Sequence, residues 1–464
     1  MSDQSLKSAR AIATEVLQQF DPTQEYAGPI LDRLLDQTQE RQRATDLVYG
    51  TIRNRYAIDT VIAQFSGRSP TRIAPMLLSI LRVGVYELVY SPATPVYSIV
   101  NEAVKNAGQA GGKKQTGFVN AVLRQIARHI TDRQTKLSAS HARRTLVQTP
   151  EAGCEFDVDF LPDPAVSLPA YLSTCFSLPQ WLVTQWLDEF GPEQTRRICL
   201  GGNRRPSVYI RMNPLRTAAT ALLERFEQAA IQAERVPGEK LGGGPACQMI
   251  KVTGPQSVTQ LPGFSEGLFT VQDLSASRVV RVLDPQPGWS ILDLCSAPGT
   301  KTTQLAEVTQ DAATITATDI DPKRLTHVQE NIARLGLESV TIVPYARVER
   351  APAASFDAVL LDVPCSNTGV LARRVEARFR IQPQGIQDLA TTQRDLLAKA
   401  AGLIKAGGRI CYSTCSIQRT ENQEAVRDFL ARHEQFQLAQ EELLLPSAES
   451  PDHDGAYVAL LLKE

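Results

Sequence analysis

Apolar side chains recur at helical spacing through the first 130 residues. Ile12, Val16, Leu17 and Phe20 lie three or four positions apart, which places them on one face of a helix. The dense apolar run over 76–89 predicts a buried helix, and the pattern predicts two further helices over 101–108 and 118–130. We therefore expect an all-α domain over residues 1–132.

The pattern weakens after this domain and then changes type. Residues 133–168 are polar with little periodicity, so we interpret them as a linker. Residues 169–264 mix a helix that starts at 179, an alternating strand over 207–213, a helix over 222–230 and a glycine loop at 242–245. This mixture predicts a small α/β extension.

Short apolar runs alternate with helical patterns over residues 265–464. The runs predict strands at 291–294, 314–319, 340–343, 356–361, 409–414 and 456–462. Helices are predicted to open at 302 and 321 and to span 389–403. Strands that alternate with helices indicate an α/β fold with a mostly parallel, doubly wound, Rossmann-like sheet, in which ligands bind at the carboxyl ends of the strands.

The turn after the first of these strands is the strongest candidate for a ligand-binding loop. Its small residues lead directly into a helix, whose first N–H groups are free to bind a ligand. The loop has neither the glycine spacing of a nucleotide triphosphatase nor that of a dinucleotide site. An ordinary turn between strand and helix is the alternative. Asp319, which ends the second strand, suits the two hydroxyls of a ribose.

Composition narrows the class of protein. The chain has 464 residues, of which 43% are hydrophobic and 21% charged, as in soluble globular proteins. It contains no run of 18 apolar residues and no apolar signal core at its N-terminus, so we expect a cytoplasmic protein without a membrane span. Eight scattered cysteines without a C-x-x-C pair, and five isolated histidines, indicate neither a disulfide scaffold nor a metal site.

Charge is distributed unevenly along the chain. The formal net charge is only −1, but residues 41–130 contain 12 Lys and Arg against four Asp and Glu, a local charge of +8. Such an excess is typical of surfaces that bind phosphate backbones. A solvated basic face is an equally good interpretation of the charge alone.

Three polar residues follow predicted strands at the edge where ligands bind. Asp362 and Cys365 come after the fourth strand, and Cys415 comes after the fifth. A carboxyl group and two thiols at one edge could supply an acid and a nucleophile. The alternative is that both cysteines are buried as small hydrophobic residues, which we expect for Cys411 inside its strand.

The helical front of the chain resembles the NusB-like RNA-binding domain over about residues 5–130. The segments that carry the resemblance are 101–105 (NEAVK) and 118–124 (FVNAVLR). It implies an RNA-binding module whose phosphate contacts are basic residues of this region, namely Lys105, Lys113, Lys114, Arg124 and Arg128.

Three ordered motifs in the last domain look like those of the RNA cytosine-5 methyltransferases. They are DLCSAPGTKT at 293–302, DVPCS at 362–366 and STCS at 413–416. Together with the NusB-like front they are similar, over nearly the full length, to the RsmB (Sun/Fmu) family, which methylates 16S ribosomal RNA. The resemblance implies an S-adenosylmethionine-dependent enzyme that forms 5-methylcytosine during ribosomal RNA processing. We expect RNA as its partner, no metal and a monomer.

The resemblance also implies a role for each motif residue. Cys415 would attack carbon 6 of the cytosine, Cys365 would assist product release, and Asp362 would contact both the base and the cofactor. The cofactor would be held by Asp362 and the loop and strand-end residues Cys295, Ser296, Ala297, Pro298, Gly299, Thr300, Lys301, Asp319 and Tyr345.

Two positions depart from the family pattern. Thr300 stands where the family has a second glycine, and Pro344-Tyr345 stands where it has Gly-Asp, so a carboxylate for the adenine amine is replaced by a ring that could stack on adenine. These departures favour an alternative, a non-catalytic RNA-binding or ribosome-assembly protein with a weakened cofactor site. The same chemistry on transfer RNA is a third possibility.

Overall fold

The fold is described from a computed structural model, which covers residues 6–237, 249–254 and 257–464. The chain forms two compact units. Unit 1 comprises Met1–Arg205 and Leu371–Arg380, and unit 2 comprises Pro206–Val370 and Ile381–Glu464. The glycine loop predicted at 242–245 lies outside the described residues.

Unit 1 begins with seven α-helices, four of which the periodicity predicts. Ser8 caps the first one, because its hydroxyl accepts the N–H of Ala11. The apolar run over 76–89 lies within α5 and is largely buried. The seven helices, labelled in chain order, are α1 Ala9–Gln19, α2 Ala27–Leu34, α3 Arg41–Arg53, α4 Arg55–Ser66, α5 Pro75–Tyr90, α6 Val96–Ala110 and α7 Lys113–His129.

The rest of unit 1 differs from the sequence prediction, because residues 133–168 are not a featureless linker. They contribute to a three-stranded antiparallel sheet of order β1-β3-β2. The first strand is polar and half exposed, so it lacks the apolar alternation that marks a strand. The remaining elements are β1 Ile130–Lys136, β2 Thr145–Val147, β3 Ala152–Phe156, α8 Leu168–Phe176, α9 Gln180–Asn203 and, from the inserted segment, α15 Ala377–Arg380.

Unit 2 opens with a small antiparallel sheet of order β5-β6-β4-β7. Its elements are β4 Val208–Met212, α10 Ala219–Gln228, β5 Gln232–Arg235, β6 Met249–Thr253 and β7 Phe269–Val271. Arg211 of β4 is buried and forms an ion pair with Glu307 at 2.7 Å. Arg211 also donates to the Thr300 carbonyl at 3.1 Å, so the small sheet supports the helix that follows the ligand loop.

The main sheet of unit 2 has seven strands in the order β10-β9-β8-β11-β12-β14-β13. Strands β8 to β12 are parallel, and β14 is antiparallel to both of its neighbours. The prediction of a doubly wound sheet is therefore confirmed. The elements are α11 Leu274–Leu283, β8 Ser290–Asp293, α12 Thr300–Val308, β9 Thr314–Ala317, α13 Leu325–Leu335, β10 Val340–Ile342, α14 Tyr345–Val348, β11 Phe356–Asp362, α16 Pro383–Leu403, β12 Ile404–Thr414, α17 Gln423–Leu430, β13 Phe436–Leu444 and β14 Ala456–Lys463.

Two features of this sheet position the site. The strand order reverses between β8 and β11, which in doubly wound sheets opens a crevice at the carboxyl ends. The edge strand β13 was not predicted, because its mostly exposed side chains give no apolar alternation. Among the described residues, no helix is long and apolar enough to cross a membrane.

Arg378 is a fully buried cation of unit 1. It lies on the segment Leu371–Arg380, which follows Cys365 in the chain but belongs to unit 1. Burial lowers the pKa of its guanidinium to about 9, which still leaves it charged at neutral pH. Its donors are taken up by oxygen atoms instead of a carboxylate, namely the carbonyls of Val375, Arg53, Phe176, Gly202 and Leu371 and the side chain of Asn203. The side chain therefore ties the inserted segment to α3, α8 and α9.

We expect Arg378→Met to destabilise the protein by about 3–5 kcal/mol, because several buried carbonyls lose their donor together. Urea denaturation followed by circular dichroism measures the change. Arg197→Met is the control, since Arg197 is exposed and only pairs with Glu193. Equal unfolding free energies for the two variants would contradict the role given to Arg378.

Candidate active site

The loop between β8 and α12 has one position that requires glycine. Gly299 has φ +99°, and a Cβ there would lie 3.2 Å from the Cα of Val328. Thr300 is already the first residue of α12 and has ordinary helical backbone geometry. The bulk and the φ preference of threonine therefore meet no conflict at position 300, which removes one of the two objections raised by the sequence.

Unsatisfied polar atoms lie at the base of this loop. The buried side-chain atoms Asp293 Oδ1, Ser296 Oγ and Thr318 Oγ1 have no hydrogen-bond partner. Backbone hydrogen bonds join the three residues, from Ser296 to Thr318 and from Thr318 to Asp293. Since buried polar groups are normally satisfied, three adjacent ones without a partner fit a loop that receives a polar ligand.

Asp293 is an ionisable group that the sequence did not single out. Burial raises the pKa of its carboxyl to about 7, although a 2.7 Å hydrogen bond from Thr302 opposes the shift. Its protonation thus changes near neutral pH, directly beneath the loop. The sequence signals were its place at the end of a buried strand and its position as the first residue of the motif at 293–302.

The two strand-end residues expected at the cofactor have partners of their own. Asp319 is buried, and its carboxylate accepts the N–H groups of Ala297 and Asp321, so it ties the loop to the end of β9. Tyr345 is half buried at the start of α14, and the Lys399 ammonium lies 5.1 Å from the centre of its ring. The described contacts therefore give Asp319 a role in holding the loop and Tyr345 a cationic neighbour.

A charged pair connects the loop to the next strand end. Lys301 Nζ lies 2.7 Å from Asp362 Oδ2, and Ser413 donates to Oδ1 of the same carboxylate at 2.9 Å. Burial alone would lower the pKa of Lys301, but Asp362 outweighs it and the pKa is raised. The Lys301 ammonium is therefore charged at neutral pH, and its salt bridge with Asp362 joins the end of β11 to α12.

The two candidate thiols are in contact. The sulfur atoms of Cys365 and Cys415 are 3.0 Å apart, and both residues are partly exposed. Asn367 Oδ1 lies 3.3 Å from the Cys415 sulfur, and the Cys415 carbonyl accepts the N–H of Gly369. The shared hydrogen bond with Cys415, burial and nearby negative charge raise the pKa of Cys365 well above its usual range. Neither cysteine is fully buried, and each has the other thiol as a partner.

The other described cysteines are not part of this pair. Cys411 is fully buried within β12, as predicted, and burial raises its pKa. Cys295 is partly exposed in the ligand loop, and burial raises its pKa as well. In the part of the chain that the structure describes, no group of three or more His, Cys, Asp and Glu residues is arranged to hold a metal ion.

The five predicted RNA contacts lie on two adjacent helices of unit 1. Lys105 is on α6, and the other four are on α7. All five side chains are exposed, whereas several arginines earlier in the basic region are paired with acids. We call Lys105, Lys113, Lys114, Arg124 and Arg128 the basic face. Within the described residues none of them forms an ion pair, so the face is available to a polyanion.

Sequence reasoning missed the residues that hold the two thiols in place. Glu421 is fully buried and accepts hydrogen bonds from Ser366 and Ser416, the residues that follow the two cysteines. Asn367 is hydrogen-bonded to Cys415, and Ser413 is hydrogen-bonded to Asp362. Glu421 stands in a polar stretch with no periodicity, so nothing in the sequence pattern separated it from a surface acid.

Models of known families match three parts of the chain. The 16S rRNA methyltransferase RsmB/F model matches residues 280–457, and the NusB family model matches residues 7–128. A ferredoxin-like domain of RsmF/B-like methyltransferases matches residues 178–241. The two regions for which the sequence showed resemblances are thus matched in the predicted order.

Known proteins match nearly the whole length. The chain is 32% identical to "Probable ribosomal RNA small subunit methyltransferase B" of Synechocystis sp., over 98% of this chain and 99% of the relative. It is 31% identical to "Ribosomal RNA small subunit methyltransferase B" of Yersinia pseudotuberculosis, over 98% of both. The crystal structure of PH0851 has the same fold, with a TM-score of 0.74 at 24% identity over 98% of this chain and 99% of that one. The chain therefore belongs to the RsmB/F family of 16S ribosomal RNA methyltransferases.

Proposed function

We propose that this protein transfers a methyl group from S-adenosylmethionine to carbon 5 of a cytosine in 16S ribosomal RNA. The observation that carries the proposal is the contact of two thiols, 3.0 Å apart, beside the Lys301–Asp362 ion pair. Carbon 5 of cytosine is a poor nucleophile until a thiolate adds to carbon 6, so a thiol at this position has a specific use.

The residues divide the work of the reaction. The Cys415 thiolate forms a bond to carbon 6, and the ring electrons that this addition frees let carbon 5 take up the methyl group. The Asp362 carboxylate accepts a hydrogen bond from the base, and the Lys301 ammonium offsets negative charge that develops on the ring. A base or water then takes the carbon 5 proton, and the electrons of that C–H bond restore the ring as the bond from carbon 6 to sulfur breaks. Cys415 leaves as the thiolate, and Cys365 assists this release.

The cofactor contacts are proposed for the loop Cys295–Lys301 and for Asp319, Tyr345 and Asp362. S-adenosylmethionine supplies the electrophilic methyl group when it is bound. The three unsatisfied buried atoms beneath the loop support a polar ligand there. Thr300 carries its side chain on a regular helical turn, so the loop needs no second glycine.

The basic face of unit 1 is the proposed contact for the phosphates of the RNA. Its exposed, unpaired cations favour this role over that of a solvated surface. A monomeric, cytoplasmic enzyme that needs no metal is part of the same proposal. The alternatives, methylation of transfer RNA and RNA binding without catalysis, are outcomes of the experiments below.

Replacement of each cysteine by alanine is expected to block a different step of the reaction. Cys415→Ala should abolish both methylation and the covalent protein–RNA adduct, whereas Cys365→Ala should leave the adduct intact and slow its breakdown. Incubation of each variant with 16S ribosomal RNA and cofactor, followed by a denaturing gel, measures the adduct. Transfer RNA is the parallel substrate.

Three results would change this assignment. An adduct with Cys415→Ala but not with Cys365→Ala would reverse the two roles. Methylation of transfer RNA alone would change the substrate. No methylation of either RNA by the unmodified protein would favour the non-catalytic alternative.

Asp319→Asn is expected to weaken binding of S-adenosylmethionine by about tenfold to a hundredfold, as for the loss of one charge-assisted hydrogen bond. Isothermal titration calorimetry measures the affinity. Asp321→Asn is the matched control, because among the described residues the carboxylate of this neighbouring acid accepts a hydrogen bond only from the Lys323 N–H in its own turn. Unchanged affinity in Asp319→Asn would remove Asp319 from the site.

Neutralising the basic face should weaken RNA binding and lower its salt dependence. In the variant Lys114→Gln, Arg124→Gln, Arg128→Gln, the slope of log affinity against log salt should fall by about 2–3 if each residue contacts one phosphate. Filter binding at salt concentrations from about 50 to about 200 mM measures the slope.

The control for this experiment removes the same charge elsewhere. The variant Arg41→Gln, Arg143→Gln, Arg197→Gln loses three exposed arginines that pair with acids. An equal loss of slope in both variants would show that net charge, and not the basic face, determines binding.

A further inference from the structure

Glu421 is a buried carboxylate without a cationic partner among the described residues. It is 0% exposed and lies in a short 3₁₀ turn, Arg419–Glu421, that follows the Cys415 loop. Its oxygens accept hydrogen bonds from the Ser366 N–H at 2.8 Å, from the hydroxyls of Ser366 and Ser416 at 2.5 Å each, and from Gln393 at 3.2 Å. Burying a charge is costly, so its retention here needs a reason.

The hydrogen bonds of Glu421 join the two thiol loops. Ser366 directly follows Cys365, and Ser416 directly follows Cys415, although the cysteines are 50 residues apart in the chain. Both serine hydroxyls meet the same carboxylate oxygen, Oε2. Gln393, which lies on α16, also donates to the Pro364 carbonyl, so α16 is hydrogen-bonded to the Cys365 loop as well. One carboxylate therefore joins the two loops directly beside the two sulfur atoms.

The charged groups around the thiols are arranged asymmetrically. Glu421 acts on Cys365, whose pKa is raised by the hydrogen bond to Cys415, by burial and by this carboxylate. Lys301, in its pair with Asp362, is the cation that interacts with Cys415. Asn367 places an amide oxygen near the Cys415 sulfur, and its own side chain donates to the Cys365 carbonyl. Glu421 thus acts on Cys365, whereas Lys301, which is paired with Asp362, acts on Cys415.

We propose that Glu421 is a positioning residue that clamps the two thiol loops together and whose fixed charge keeps the proton of the thiol pair on Cys365. Of the two thiol protons, the one on Cys415 leaves first, to solvent, and Cys415 becomes the thiolate, while Cys365 stays a neutral thiol that donates to it. The catalytic consequence rests on the proposed function, but the distribution of the proton does not. The order of the two thiols is a property of the free protein.

Alkylation of the folded protein with iodoacetamide as a function of pH tests the proposal. Mass spectrometry of tryptic peptides reports Cys365 and Cys415 separately, since they lie on different peptides. In the unmodified protein, Cys415 should be alkylated with the lower pH midpoint. In Glu421→Gln, Cys365 should react about tenfold faster at a pH below its midpoint, because a like charge nearby shifts a pKa by about one unit or more.

Two features of the design keep the result interpretable. Glutamine has the same shape, and the serine hydroxyls can rotate to accept from its amide, so Glu421→Gln preserves the number of hydrogen bonds. Glu424→Gln is the matched control, since it removes one negative charge three residues away, where the carboxylate is partly exposed beside Arg419. This control should leave both midpoints unchanged.

The proposal is overturned if Cys365 has the lower midpoint in the unmodified protein, a result that needs no variant. It is also overturned if Glu421→Gln melts like the unmodified protein and has the same two midpoints. Alkylation requires neither RNA nor cofactor. If the protein does not methylate RNA but Cys415 still has the lower pH midpoint of alkylation, only the proposed function is rejected. Methylation with unchanged midpoints in Glu421→Gln would reject only this inference.

Discussion

The parallel pairing of β11 with both β8 and β12 is the constraint on which the site depends. Ala358 of β11 pairs with Ile291 of β8, and Asp362 pairs with Ser413 of β12, so the three strands end at one edge of the sheet. Three segments that lie far apart in the sequence thereby bring the loop Cys295–Lys301, Asp362 and the two thiols to one edge of the sheet. Their backbones end there because parallel strands all point in one direction.

Unit 2 also contains several buried ionisable side chains, and these differ in the kind of group that they contact. Lys301 and Asp362 neutralise each other, as do Arg211 and Glu307. Among the described residues Glu421 has only neutral donors, so no cation pairs with its carboxylate. Paired charges fix the geometry of the loops, whereas an unpaired charge acts on the groups beside it. The thiol pair is adjacent to both kinds.

Unit 1 has a different distribution of charge. Its core is apolar and helical, and its cations include residues that pair with acids as well as the exposed residues of the basic face. Arg378 follows neither pattern, because its guanidinium is buried against carbonyl oxygens. It belongs to a segment that directly follows the Cys365 loop in the chain, so the same stretch of sequence serves the thiol site of unit 2 and the packing of unit 1.

Local chemistry in the sequence determined much of the protein. Apolar periodicity predicted the helical front and the doubly wound sheet, because amphipathic helices and buried strands require those spacings. The motif residues identified the family, and strand ends predicted the edge at which Asp362, Cys365 and Cys415 meet. The polar strand β1 and the exposed edge strand β13 were not predicted, since neither buries an alternating apolar face.

Only the tertiary structure decided which of these groups touch. The 3.0 Å contact between the thiols, the pairing of Lys301 with Asp362 and the position of Glu421 all join residues that are distant in the chain. The raised pKa of Asp293 likewise requires burial by neighbouring elements. A sequence specifies residue types and local spacing, but contact distances and desolvation arise only when separate strands are packed side by side.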